Sequence, residues 1–95
     1  MGKTKTPHKH ESNDAVLKRL ARIEGHVRGI KRMVEENTHC PDVLVQIAAV
    51  RSALNQVGQV ILEDHLRHCM VRAVKDGEFE DAMKDLELSL DRFIR

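Results

Sequence analysis

Apolar residues recur at Val16, Leu20, Ile23, Val27, Ile30 and Val34, in steps of 4, 3, 4, 3 and 4. That spacing is one seam of an amphipathic helix. Ser12 or Asn13 can cap its start. Gly25 and Gly29 interrupt it, each at a cost of up to about 1 kcal/mol relative to Ala. Glycines four apart point to close approach of another backbone, or are simply tolerated. The stretch "ENTHCPD" breaks the helix, because Pro41 cannot continue it but suits the start of a new one. Asp42 complements that new N-terminus. From Pro41 to about Lys75 the apolar positions run Leu44, Ile47, Val50, Leu54, Val57, Ile61, Leu62, Leu66, Val71 and Val74, with Gly58 the one interior glycine. The spacing predicts one helix of about 35 residues, roughly 52 Å long. "KDGE" ends it, with Gly77 as the left-handed terminating residue. A third helix is predicted from about Glu78 to Ile94 on Phe79, Met83, Leu86, Leu90 and Phe93. No strand pattern, repeat or low-complexity tract occurs in the sequence. The predicted class is all-α.

A middle helix much longer than its neighbours leaves an overhang that needs a partner. The chain of 95 residues has no Trp or Tyr and two Phe, so an isolated protomer has little with which to build a core. Antiparallel pairing of two long helices, with the first helix of each chain, gives a four-helix core. An obligate oligomer is expected. Residues 1–11 are polar and aperiodic and read as a flexible tail; residues 12–95 read as the folded domain. No apolar run is long enough to span a membrane and nothing resembles a signal peptide, so a cytoplasmic location is expected.

Net charge is +1 but unevenly placed. Residues 1–33 carry nine Lys/Arg against three acidic residues, and the remainder seven against twelve. A basic first helix points to an anionic partner such as nucleic acid; the bland alternative is a solvated helix face. Lys18, Arg19, Arg22, Arg28 and Lys31 lie away from the apolar seam, and Arg51 on the second helix adds to them. Arg19, Arg22 and Arg51 are the leading candidates for phosphate contact, with Lys18 and Lys31 in support. His26 reads as a polar or DNA-facing group within this helix.

The chemistry-bearing residues pose a distance problem. His65 and Cys69 in "HLRHC" share one helical face, one turn apart. Cys40 precedes His65 by 25 positions, roughly 37 Å along a continuous helix. Cys40 therefore cannot meet its own His65, but it can meet that of an antiparallel second copy. Two thiolates and one imidazole converging across a subunit interface form a soft-metal site. Without that convergence each cysteine is a small buried hydrophobe. His68 points about 100° away from Cys69 and reads as solvent-facing.

The segment "RLARIEGHVRGIKRMVEENTHCPDVLVQIAAVRSALNQVGQVILEDHLRHC" resembles the copper-sensitive operon repressor family, which also includes nickel/cobalt, formaldehyde and persulfide sensors. The resemblance covers residues 14–95. It implies an all-α three-helix protomer, an antiparallel four-helix-bundle dimer and a dimer-of-dimers tetramer, with no helix-turn-helix. It further implies that the apo form binds operator DNA and is released by its inducer, derepressing copper export or resistance genes. In copper-sensing members the Cu(I) ligands stand at the positions of Cys40, His65 and Cys69, the first from one protomer and the other two from its partner. Formaldehyde and persulfide sensors, and one nickel/cobalt branch, lack one of these three types. Copper sensors often carry Tyr where this chain has His39, and Glu where it has Asp85; both are candidate outer-shell groups, Asp85 as acceptor from the second nitrogen of His65. Some nickel sensors keep the trio and add an N-terminal His, which His8 or His10 can supply. The expected cofactor is Cu(I), with Ni(II) as the alternative.

A metal-binding repressor competes with two other classes. A cytosolic metal buffer accounts for the ligands but not for the concentrated basic charge. A thiol-dependent enzyme can use Cys69 with His65 as base, but the sequence offers no oxyanion site or substrate pocket. The chain is expected not to be an enzyme.

Overall fold

The computed structural model describes residues 12–94, which form three helices with no strand among them. They are α1 (Asn13–Glu35), α2 (Cys40–Lys75) and α3 (Phe79–Ile94). The tail of residues 1–11, with His8 and His10, lies outside the described residues.

Each boundary has a local cause. α1 ends with Asn37 in the left-handed region (φ 58°). The Thr38 N–H reaches the Met33 carbonyl at 2.9 Å and the Asn37 N–H reaches Val34 at 3.1 Å. This pair of bonds is the Schellman pattern, which satisfies carbonyls left over at a helix end. The next helix opens on the His39 carbonyl, which accepts from the Asp42 and Val43 N–H groups at 3.0 and 3.2 Å. Asp42 places a negative charge in its first turn, and Arg72 and Lys75 place positive charge in its last, both matching the helix dipole. Gly77 ends α2 with φ 69°, as its place in "KDGE" predicts. α3 then begins with the Glu78 carbonyl accepting from Ala82 at 2.9 Å.

The chain divides into two compact units. In the unit of residues 14–59, α1 runs antiparallel to the first part of α2. Its buried residues are Val16 and Ile23 on α1 and Val50 and Val57 on α2. Each pair is seven residues apart, so two matching stripes face each other. Arg19 bonds Gln56 and His26 bonds Gln46, and the descending partner number fixes the antiparallel sense. Only part of the α1 seam is covered, since Val27 and Val34 remain 48% and 58% exposed. Among the described residues neither Gly25 nor Gly29 meets another backbone: a Cβ at Gly25 would lie 3.7 Å from the Arg28 side chain, and one at Gly29 would meet nothing within 4 Å.

The other unit holds residues 60–94 together with residues 12 and 13. Its buried residues are Cys69 on α2 and Ala82 on α3. Ser12, in the cap position of α1, donates its N–H to Asp64 at 3.1 Å, and its hydroxyl bonds the same carboxylate oxygen. Arg67 bonds the other Asp64 oxygen at 3.2 Å.

Along α2, Ile47, Leu54 and Ile61 stay more than 40% exposed at steps of seven. A heptad stripe left open on a long helix is an unsatisfied packing face.

Candidate functional site

α2 carries the three ligand candidates, Cys40 in one unit and His65 and Cys69 in the other. Cys40 is its first residue and its thiol is exposed. His65 and Cys69 follow 25 and 29 residues later on the same uninterrupted helix. Among the described residues no three His, Cys, Asp or Glu side chains come together as a metal site. Both cysteines are free thiols.

The α2 pair is already close. The His65 Nε2 atom stands 3.9 Å from Cys69 Sγ. Nitrogen and sulfur ligands of one metal, with bonds of about 2.0 and 2.3 Å at trigonal or tetrahedral angles, sit roughly 3.5–3.8 Å apart. One buried thiol and one imidazole at this separation, with a further thiol available from elsewhere, suit a soft cation of low coordination number.

The surroundings of Cys69 tune its thiol. Burial pushes its pKa above the ordinary value, the Asp85 charge adds to that, and Arg72 opposes it. Both charged groups therefore stand within electrostatic reach of the sulfur. Arg72 lies three residues after Cys69 and seven after His65, on the same side of α2. Its Nε donates to Glu78 Oε1 at 3.1 Å and its Nη1 to Asp85 Oδ2 at 3.0 Å. These contacts, Glu78 foremost, hold the guanidinium in its charged form. Asp85, expected from the sequence to accept from His65, thus accepts from Arg72 here. Ser89 in turn bonds the Asp85 carbonyl at 3.0 Å. His39 is exposed and contributes its backbone carbonyl to the start of α2. His68 is half-buried, where the sequence placed it in solvent.

A second feature lies on α1. Arg19, Arg22 and His26 are on one helical stripe and line a cleft of about 280 Å³ with Ile23, Ala53 and Gln56. Arg19 Nη1 donates to Gln56 Oε1 at 3.4 Å, and His26 Nε2 lies 2.7 Å from Gln46 Oε1. His26 is half-buried. Among the described residues no carboxylate lies within ion-pair distance of Lys18, Arg19, Arg22, Lys31 or Arg51; the three ion pairs all belong to Arg67 and Arg72. The basic side chains of α1 and Arg51 are exposed.

The sequence singles out the ligand candidates and the basic helix but not Arg72, Asp64, Gln46 and Gln56. For Arg72 the signal was its step of seven from His65 on the same helix. The glutamines carried no signal, because a neutral polar residue on a predicted helix face is ordinary.

Comparison with known proteins bears on these features. The family described as "Metal-sensitive transcriptional repressor" matches residues 12–92. The copper-sensing transcriptional repressor CsoR of Bacillus subtilis (strain 168) is 47% identical over 76 residues, which is 80% of this chain and 75% of that protein. Among solved structures, the nickel-responsive transcriptional regulator InrS is 49% identical with a TM-score of 0.83, covering 93% of this chain and 99% of that one. The copper-sensing repressor CsoR with Cu(I) from Geobacillus thermodenitrificans NG80-2 is 42% identical with a TM-score of 0.82, covering 97% of this chain and 96% of that one.

Proposed function

We propose that this chain, which belongs to the metal-sensitive transcriptional repressor family, is a Cu(I)-responsive repressor that holds operator DNA when metal-free and leaves it when Cu(I) binds. The family consists of repressors, not enzymes. Among the described residues no helix is long and apolar enough to cross a membrane, and the proposed place of action is the cytoplasm. The observation that carries the reading is the half-site on α2: His65 and Cys69 are 3.9 Å apart, while Cys40 opens the same continuous helix.

Cys40 of one protomer completes the pair on its partner when two α2 helices run antiparallel. The open stripe of Ile47, Leu54 and Ile61 supports that pairing, and the predicted tetramer is two such dimers. Two thiolates and an imidazole leave no fourth protein ligand, which suits Cu(I) better than Zn(II). Bound Cu(I) would supply cross-linking of the two α2 helices and no reaction. His39 flanks Cys40 and Asp85 lies near Cys69, as outer groups of the site. Arg19, Arg22 and Arg51, with Lys18 and Lys31, contact DNA phosphates. Because metal and DNA favour different arrangements of the assembly, each weakens the other by the same factor.

A Ni(II) response is the second reading. The similarity to the nickel-responsive regulator InrS and the presence of His8 and His10 favour it; a tail imidazole would complete a four-ligand site.

The test is anaerobic titration of the reduced protein with Cu(I) and with Ni(II), each against a competing chelator, read by operator-DNA anisotropy. One Cu(I) per chain with DNA release, and no release by nickel, is the expected result. Release by nickel at lower free metal, lost on removal of His8 and His10, moves the assignment to Ni(II). Retained metal binding with no DNA affinity moves it to a metal buffer.

A further inference from the structure

We propose that Arg72 is a positioning residue that holds the Asp85 carboxylate in the metal-free protein and thereby competes with His65 for it. The inference rests on the metal-site reading above for its consequence, but not for its geometry. His65, Cys69 and Arg72 follow one another at steps of four and three along one face of α2. The carboxylate that raises the Cys69 thiol pKa is the one bonded to Arg72.

Arg72 is a fork with separate prongs. Nε takes Glu78, just before α3, and Nη1 takes Asp85, within it. Glu78 keeps the guanidinium parked if Asp85 turns away, so the Asp85 contact can break without freeing the whole side chain. Competition acts through charge as well as through occupancy. A hydrogen bond from an imidazole N–H to a carboxylate is strong because the acceptor is charged. A guanidinium 3.0 Å from one carboxylate oxygen offsets that charge even if the other oxygen is open. A metal on one nitrogen of His65 makes the other N–H a stronger donor, and the nearby Arg72 charge opposes that gain.

The structure holds the carboxylate on Arg72; the proposal adds a second state in which it turns to His65. The side chains of Arg72 and Asp85 are 23% and 44% exposed, so the bias is modest, about three- to fivefold in an equilibrium.

The experiment compares the full chain with R72Q, D85N and R72Q/D85N. The first readout is the NMR signals of the His65 ring nitrogens in the metal-free proteins. They are expected to move in R72Q, and to be the same in R72Q/D85N as in D85N. The second is Cu(I) affinity against a chelator: loss of Arg72 also removes a charge that lowers the Cys69 thiol pKa, so the R72Q effect is expected to be about three- to fivefold more favourable with Asp85 present than in the D85N background. R72K, which keeps the charge, is expected to move both readouts less. His65 signals unchanged by R72Q, or an equal R72Q effect with and without Asp85, overturns the proposal. If the parent chain takes up no Cu(I), the copper reading fails, and the metal-free signals still decide the role of Arg72.

Discussion

His65 Nε2 lies 3.9 Å from Cys69 Sγ, one turn apart on a single face of α2. The proposed soft-metal site would thus draw two of its three ligands from one rigid element. A helix fixes the spacing of its own side chains, so these ligands need no loop closure to converge. The third thiol opens the same helix, 25 residues before His65. A site split in the proposed way would make metal binding report on how two chains are arranged.

The first prediction concerns pH and carries two signs. Cys69 must be a thiolate to bind metal, and burial holds its proton more tightly than usual. Metal affinity is therefore expected to fall as pH is lowered, because each bound metal releases the thiol protons. In the metal-free protein the sign is opposite. The folded thiol has the higher pKa, so its contribution to stability is full below the unfolded thiol's pKa and is lost as pH rises through the folded value. Thermal melts of the reduced, metal-free protein should show Tm falling in alkaline solution, with part of that slope absent in Cys69→Ala.

Much of this arrangement is legible in the sequence, and the limits have physical causes. Spacing alone places the three helices within a residue of their observed ends, and Gly77 announces its turn. Asn37 does not, because glycine is the usual left-handed residue and Asn ends a helix less often. The α1 seam reads as one continuous apolar stripe, yet Val27 and Val34 are open within the protomer. Periodicity identifies a packing face but not whether its partner belongs to the same chain. Asp85 illustrates a third limit. Its nearness to the Cys69 site was readable by resemblance, whereas its bond to Arg72 depends on how α3 lies against α2.

The second prediction concerns DNA. Arg22 is exposed at the α1 cleft with no carboxylate partner among the described residues. Arg22→Gln should change stability by no more than about 0.5 kcal/mol, as expected for a surface position without special contacts. It should weaken operator binding nearly equally across sequences and reduce the salt-dependence slope by about one for each Arg22 that meets phosphate. Anisotropy titrations at several salt concentrations read both effects. A loss confined to one operator sequence would assign Arg22 to base reading instead.

The third prediction uses Gly29. Among the described residues a Cβ there meets nothing within 4 Å, and its φ is not in the left-handed range. Gly29→Ala should therefore raise stability by about 0.5–1 kcal/mol through helix propensity. The check is chemical denaturation of the assembled protein. Destabilisation with a shift toward smaller assemblies would mean that another chain's backbone lies against α1 at this position.

The fourth prediction separates a shared site from one built within a chain. Cys40→Ser and Cys69→Ser each remove one ligand, and each variant alone should lose metal affinity by more than about 100-fold, beyond the loss typical of outer-shell changes. Their mixture should not. When two such chains pair antiparallel, one of the two sites receives the intact Cys40 from the Cys69→Ser chain and the intact His65 and Cys69 from the other. The second site receives neither thiol. Random exchange makes half the dimers mixed, so about a quarter of all sites should recover tight binding. Metal titration of the co-refolded mixture, against each variant alone, measures that fraction. Zero recovery would show that Cys40 and Cys69 do not act across subunits, and α2 would have to break between them for one chain to hold the metal.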